Sequence, residues 1–204
     1  MGERILELLI IRHGQSEADI TGVHEGRANF SLTEEGKVQA KKMTDIIVLK
    51  YPPDIVMTSP LKRAKETADI LQKGVGCELR VEDDLMEYNN GVLAGMSREE
   101  ALMKYPLPKG GRPFHVPIMG GESMLDLRYR AERIFHKIML EYADYKRVAV
   151  ISHGGLISNF MKAFLGLPSN SPYEFATGDT GIHCLRINDN SKAVLFLNNQ
   201  EHLL

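Results

Sequence analysis

The sequence predicts an α/β domain built on a mainly parallel sheet, and three observations carry that expectation. Near-continuous apolar runs at residues 5–11 (ILELLII), 54–59 (DIVMTS) and 147–152 (RVAVIS) read as strands buried on both faces. Segments with helical spacing alternate with them, the pattern of a parallel sheet covered by helices. A chain of 204 residues with 43% hydrophobic content can bury a real core, and no repeat, low-complexity tract or composition shift divides it.

The elements follow in order. After the first strand comes a loop rich in turn formers, TGVHEGRANFS. From Thr33 onward EEGKVQAKKMTDIIVLK has helical character: Glu34 and Glu35 lie at the positive end of the helix dipole, with Val38, Met43, Ile46 and Ile47 spaced for one apolar face. Tyr51-Pro52-Pro53 stops it. The strand DIVMTS leads into SPLKRAKETADILQKG, a helix for which Ser59 is the expected N-cap, Pro60 the first helical position and Gly74 the residue past its end. CELRVED is a strand, and the box Ser97 to Glu100 (SREE) opens a short helix. Residues 105–121 carry four prolines and four glycines, which makes a loop long enough to suspect function. Ser123 caps a helix expected to reach about Tyr145, with Leu127, Ala131, Ile134, Ile138 and Tyr142 on one face. RVAVIS, a helix from HGGLISNFMKAFLG ended by Gly166, and a hairpin of GIHCLRI with AVLFL around NDNS complete the chain.

Twenty-five basic against 27 acidic residues give a net charge of -2, so nothing in the charge balance favours nucleic acid or an anionic membrane. Cys77 and Cys184 show no CxxC spacing and read as buried thiols in a reducing, cytoplasmic compartment. The N-terminal apolar run is broken by Glu7 and Arg12, too short and too charged for a signal peptide or a membrane span. MGERIL also lacks the Ser/Thr that a myristoylation signal places after Gly2.

Chemistry enters at the strand ends. LLIIRHG, IVMTSPLKR and VAVISHGG each run a buried strand into a turn, and carboxyl ends of this kind line the ligand crevice of an open α/β sheet. Arg12, His13, Arg63 and His153 are therefore expected to converge, with Arg63 in the first turn of a helix whose free N–H groups also favour an anion. Gly14, Gly154 and Gly155 let the backbone turn sharply and approach a ligand. Guanidinium forks match phosphate oxygens, and at roughly 4 Å with an effective dielectric near 20 each contact is worth about 4 kcal/mol before desolvation. One strand-end histidine is ordinarily structural; two HG turns and an arginine in equivalent positions point to a phosphate site. P-loop, dinucleotide, zincin and serine-hydrolase signatures are all absent from the sequence.

With these residues the chain resembles the histidine phosphatase superfamily, in its branch similar to cofactor-dependent phosphoglycerate mutases. RHGQSEAD is similar to the family's RHG signature, EGRANFSLTEEGKVQA to its QGxxDxPLTxxGxxQA block and TSPLKRAKETA to its TSxLxRAxxTA block. LMEYNNGVLAGM, GGES and VISHGGLI follow in the family's order. The resemblance implies a three-layer α/β/α sandwich with a mainly parallel sheet and one antiparallel edge strand, as one domain over 1–204 with a lid or specificity segment at about 96–123. It implies that His13 attacks phosphorus as the neutral imidazole, while Arg12, Arg63 and His153 hold the phosphoryl oxygens. Glu87 would protonate the leaving alcohol and then activate water, a role that calls for a raised proton affinity. Asp19, Gly26 and Gly154 fall on the substrate side of the site, and neither a metal nor an organic cofactor is called for.

Several positions depart from the family pattern. Asp19 stands where asparagine is usual, and must turn away from the phosphate or hold a proton; Glu25 replaces a common glutamine, Asn29 a common aspartate, and Asn90 the tyrosine of the mutases' ExxYG. The last departure and the brief loop after Gly95 favour a phosphatase acting on a small phosphorylated metabolite, over a mutase. A catalytically weak phospho-ligand binding module is the more distant alternative, against which Glu87 and both histidines argue. The lid offers Lys104, Lys109, Arg112 and His115 to a second anionic group and Phe114, Val116 and Ile118 to an apolar one. The expected partners are the small substrate and at most a second copy of the chain.

Overall fold

A computed structural model describes residues 4–204, so the expectation drawn at Gly2 lies outside the described residues. Six strands form one sheet: β1 (Ile5–Arg12), β2 (Ile55–Thr58), β3 (Glu78–Val81), β4 (Arg147–Ser152), β5 (Ile182–Asn188) and β6 (Lys192–Asn199), in spatial order β3-β2-β4-β1-β5-β6. The pairs β3–β2, β2–β4 and β4–β1 are parallel. Strand β5 runs against β1, and β6 against β5, which makes the antiparallel part an edge pair.

Alternation along the central strands builds two cores, because successive side chains leave a strand on opposite faces. Leu6, Leu8 and Ile10 of β1, with Ile55 and Met57 of β2 and Val148 and Val150 of β4, pack against α5 (Met124–Glu141) and α6 (Gly154–Phe164). Leu9, Ile11, Val56, Ala149 and Ile151 point the other way, toward α2 (Glu34–Lys50) and α3 (Lys62–Val75). Each aliphatic side chain so buried contributes roughly 1.5–3 kcal/mol. This is the expected three-layer sandwich. Two short helices complete it, α1 (Glu17–Thr21) and α4 (Arg98–Lys104). Among the described residues no helix is long and apolar enough to cross a membrane.

Four local expectations are corrected. Val38 is exposed, because α2 turns Gly36, Ala40, Met43 and Ile47 inward. That rotation is fixed by a backbone contact: a Cβ on Gly36 would collide with the Gln15 carbonyl, and one on Gly14 would stand 2.5 Å from the Gly36 carbonyl oxygen. Helix α3 begins at Lys62 with Leu61 as its cap, since Ser59 Oγ accepts from Leu61 N and keeps Pro60 and Leu61 outside the helix. It runs through Gly74, where a Cβ would strike Thr44 of α2, and ends at Gly76 with φ +79. Helix α5 stops at Glu141, the chain then turning so that Asp54 can accept from Lys146 N and Arg147 N as β4 begins. Finally, Cys77 is only half-buried, whereas burial pushes the Cys184 thiol up to about 11.

Ser97 and Ser123 do cap their helices. Ser123 forms the full reciprocal box with Asp126. Ser97 Oγ accepts from Glu100 N, while the Glu100 carboxylate reaches Lys104 instead of returning to the cap.

Candidate active site

Three neighbouring strands deliver the site. In the order β2, β4, β1, the residues that follow them are Ser59, His153 and His13, and the backbone pairing continues one step past the sheet. Ser59 N donates to Ile151 O at 3.1 Å and His13 N to Ser152 O at 3.0 Å. The imidazoles of His13 and His153 therefore sit side by side, ring centroids 5.1 Å apart. Both are essentially inaccessible, at 1% and 0% exposure.

The orientation of His13 is fixed from both ends. Its Nδ1 donates to Gly14 O at 2.7 Å, since a carbonyl can only accept, so Nε2 keeps its lone pair. Arg63 Nε donates toward that lone pair at 3.2 Å. Burial, then the Arg63 and Arg12 charges, hold His13 well below the usual imidazole range. His153 is lowered in the same sense by burial, Arg63 and His13. Its Nε2 lies 2.8 Å from Ser59 Oγ, and its Nδ1 is buried with no hydrogen-bond partner among the described residues.

The two arginines are held differently. Arg63, fully buried in the first turn of α3, donates from Nη1 to Ala28 O at 3.0 Å and from Nη2 to Gly26 O at 2.9 Å. The loop after α1 thus aims the guanidinium, and Gly26 serves it through a carbonyl. Gly26 has φ +48, and a Cβ there would collide with Asn90 Oδ1, so the tight packing requires glycine. Arg12 donates from Nη1 to Thr177 O at 3.0 Å, and its Nη2 lies 3.4 Å from Asp19 Oδ1 and 3.5 Å from Asp179 Oδ1. Its Nε is buried and without a partner among the described residues.

Glu87 reaches the site from the loop after β3. Oε1 accepts from Tyr88 N at 2.7 Å and Leu156 N at 3.2 Å, and Oε2 from Gly155 N at 3.0 Å. The carboxylate thus caps the N-terminus of α6, and Gly155 is needed because a Cβ would stand 2.5 Å from Glu87 Oε1. Behind it, Arg130 Nη2 donates to Glu87 O at 3.1 Å and to Glu122 Oε1 at 2.6 Å. Gly154, the first residue of α6, has open space where its side chain would be.

Asp19 is exposed and folds its carboxylate back onto the start of α1. It occupies the third position of α1 in a capping box, with Oδ2 accepting from Ser16 N at 2.8 Å and Ser16 Oγ at 3.0 Å. Its other oxygen faces Arg12. In the lid, Arg112, Phe114, Val116 and Ile118 are half-buried, alternating with exposed neighbours. Lys104, Lys109 and His115 are exposed, Lys104 being paired with Glu100.

Four site residues escaped sequence reasoning in these roles. Thr67 Oγ1 accepts from Gly14 N at 3.1 Å and fixes the turn after His13. Thr177 and Asp179 hold Arg12 from a loop some 165 residues downstream. Glu25, noted only as a departure, accepts from Ser16 Oγ and lies with Oε1 3.1 Å from Arg63 Nε and Oε2 3.7 Å from His13 Nε2. The TSPLKRA block flags Thr67's helix, but nothing in the local sequence marks the other contacts.

The buried neutral histidines set an acid limit on stability. His13 and His153, together with His183, whose burial pushes it down to about 4, bind protons more readily unfolded than folded. The sign is that of a depressed group: stability is complete above about 6.5 and falls as pH drops below it, by up to about 1.4 kcal/mol per pH unit for each histidine. Glu25 and Asp179, raised by burial, act in the opposite sense and offset part of the loss. Urea unfolding is expected to show a lower midpoint at pH 5.5 than at pH 7.5, with a shallower fall for His183→Asn; identical midpoints would contradict it.

Comparison with known proteins places this geometry. The profile of the histidine phosphatase superfamily (branch 1) matches residues 8–200. The chain is 27% identical over 202 residues to phosphoserine phosphatase 1 of Hydrogenobacter thermophilus, covering 98% of this chain and 95% of that protein. It is 28% identical over 176 residues to glucosyl-3-phosphoglycerate phosphatase of Mycolicibacterium vanbaalenii, covering 81% and 76%. In fold it is similar to the alpha-ribazole phosphatase from Shigella flexneri, with a TM-score of 0.86 at 24% identity over 95% of this chain and 96% of that one.

Proposed function

The chain belongs to the histidine phosphatase superfamily, and from that premise we propose that it hydrolyses phosphomonoesters of small metabolites through a phosphohistidine at His13. The observation that carries this reading is the set of polar groups that His13 and its neighbours leave for a ligand. His13 Nε2 presents a lone pair met by Arg63 Nε, and the adjoining Arg12 and His153 each keep a buried nitrogen, Nε and Nδ1, without a partner among the described residues. Buried donors left unpaired are costly, and a phosphoryl group satisfies them with its oxygens while offering phosphorus to the nitrogen.

Ser59 Oγ accepts from Leu61 N, which leaves its own hydrogen for His153 Nε2 and puts the His153 proton on Nδ1, facing the oxygens. His13 Nε2 attacks phosphorus and the bond to the leaving oxygen breaks; Glu87 supplies that oxygen with a proton. Glu87 then takes a proton from water as the water attacks the phosphohistidine, releasing phosphate and restoring the neutral imidazole. Arg12 and Arg63 offset the phosphoryl charge throughout. The low proton affinity of His13 keeps the nucleophile available well into the acid range. For the organic part of the substrate, a pocket of about 340 Å³ opens beside Gly154 and Gly155, walled by Tyr88, Met124, Leu127 and Phe175.

Relatives are named both as phosphatases and as probable phosphoglycerate mutases at similar identity, so the preference for hydrolysis rests on Asn90 in place of the mutases' tyrosine and on the brief loop after Gly95. p-Nitrophenyl phosphate is expected to be hydrolysed in the presence of EDTA, and a panel of phosphorylated amino acids, sugars and three-carbon acids to yield free phosphate from at least one member. Incubation with 3-phosphoglycerate and a 2,3-bisphosphoglycerate primer distinguishes the mutase: 2-phosphoglycerate formed without free phosphate would overturn the proposal.

A further inference from the structure

Among the described residues only two other than glycine have a positive φ, Thr180 at +51 and Asn198 at +46, and the first is β-branched. Backbone of that kind is costly for a side chain such as threonine and persists where the surroundings over-determine it. Both residues lie at one contact, where residues 198–202 press on the loop 177–181 that carries the partners of Arg12.

Three side chains on alternate residues make that contact. Asn198 Oδ1 accepts from Gly178 N at 2.9 Å, Gln200 Nε2 donates to Asp179 O at 2.9 Å, and His202 Nε2 lies 2.8 Å from Thr180 Oγ1. Thr180 Oγ1 also stands 2.7 Å from Asp179 O, which can only accept, so the Thr180 hydrogen goes there and His202 Nε2 is the donor. A parallel path runs through β5. Asn198 N donates to His183 Nδ1 at 3.2 Å, which leaves the His183 hydrogen on Nε2, 2.8 Å from Thr177 Oγ1. Strand β6 reaches these positions through a bulge: it advances from Phe196 to Asn199 while β5 moves only from Cys184 to Ile182, the device that re-aims side chains at a strand end. The fit has no slack, since a Cβ on Gly178 would stand 2.4 Å from the Gln200 amide.

The other side of the same loop faces the phosphoryl site. Thr177 O and Asp179 Oδ1 meet the Arg12 guanidinium, Arg12 N donates to Gly181 O at 3.3 Å, and Thr180 N donates to His13 O at 3.2 Å. We propose that Asn198, Gln200 and His202 are positioning residues for phosphoryl transfer: a strap that holds loop 177–181 in its strained form and, through it, the Arg12 guanidinium and the Arg12–His13 peptide. They act through Arg12 and need no contact with the substrate. The inference rests on the phosphoryl site proposed above. Released from the strap, Thr180 is free to leave the positive-φ region, and the two acceptors that direct Arg12 move with it.

The first variant is His202→Ala, read with p-nitrophenyl phosphate as substrate and inorganic phosphate as competitive inhibitor. kcat/KM is expected to fall about 10- to 100-fold and the phosphate inhibition constant to rise about tenfold, the scale on which a misplaced substrate-binding group is felt. His202→Gln returns an amide N–H to the place of Nε2–H and should recover both constants to within about threefold. Gln200→Ala should move them in the same direction as His202→Ala, which keeps the test open where His202→Ala fails to fold. In an Arg12→Ala background, adding His202→Ala should cost less than about twofold more, because the group it positions is gone.

A fall in kcat with an unchanged phosphate constant and a lower melting temperature would assign residues 198–202 to stability alone and overturn the proposal. Equal factors of loss from His202→Ala with and without Arg12 would do the same. Calorimetry with inorganic phosphate separates the strap from the hydrolase reading. Phosphate bound by the wild type, and about tenfold more weakly by His202→Ala, in a chain that turns over no phosphomonoester would sustain the strap and defeat the hydrolase.

Discussion

His13→Ala is expected to abolish phosphatase turnover, with a loss of about 10⁴-fold or more in kcat, the scale on which removal of a covalent nucleophile is felt. The magnitude follows from how completely the surroundings are committed to that ring. Gly14 O fixes its tautomer, Arg63 Nε covers its lone pair, and Thr67 holds the turn behind it. No neighbour can take over: His153 is tied to Ser59 and set 5.1 Å away, ring to ring. Rapid-quench labelling with a phosphorus-32 substrate should give an acid-labile, alkali-stable protein adduct in the wild type and none in the variant. An adduct persisting in His13→Ala, or turnover near the wild-type rate, would move the nucleophile elsewhere.

Glu87→Gln should separate leaving groups. With p-nitrophenyl phosphate, whose phenolate departs without help, adduct formation is expected within about fivefold of wild type. With an alkyl phosphate the loss should reach about 10² to 10⁴, the usual worth of positioned acid–base catalysis. Equal losses on both substrates would remove Glu87 from the acid role. The variant should also lose stability by about 1 kcal/mol, because a neutral amide accepts less strongly from Gly155 N and Leu156 N than a carboxylate does. Thermal melts report that separately from rate.

The sequence was legible where the chemistry is local. A buried strand running into Arg12-His13-Gly14, and another into His153-Gly154-Gly155, are patterns carried by adjacent residues, and the strands bear them to neighbouring positions in the sheet. Alternation of Leu8, Leu9, Ile10 and Ile11 between two cores is likewise written in the run itself. Glu87 was different: its loop contains four acidic residues, and only the family resemblance singled it out. Thr177, Asp179 and Glu25 were illegible in function because their partners are brought by other loops, and no spacing encodes that. The misplaced boundaries of α3 have the same character. Ser59 has the composition of a helix cap, yet its hydroxyl turns Leu61 and serves His153, so a local preference gives way to the site.

The facing glycines, Gly14 behind His13 and Gly36 in the first turn of α2, limit how such a chain can change over generations. Each backbone occupies the space a methyl group would need on the other segment. Any single substitution at either position must push the turn after His13 or an entire 17-residue helix, and no second single change restores the gap. Mutational drift is therefore closed here one step at a time. Variation among functional descendants should accumulate around this contact, on the outward face of α2 where Val38 and Val48 lie, while the contact itself passes unchanged.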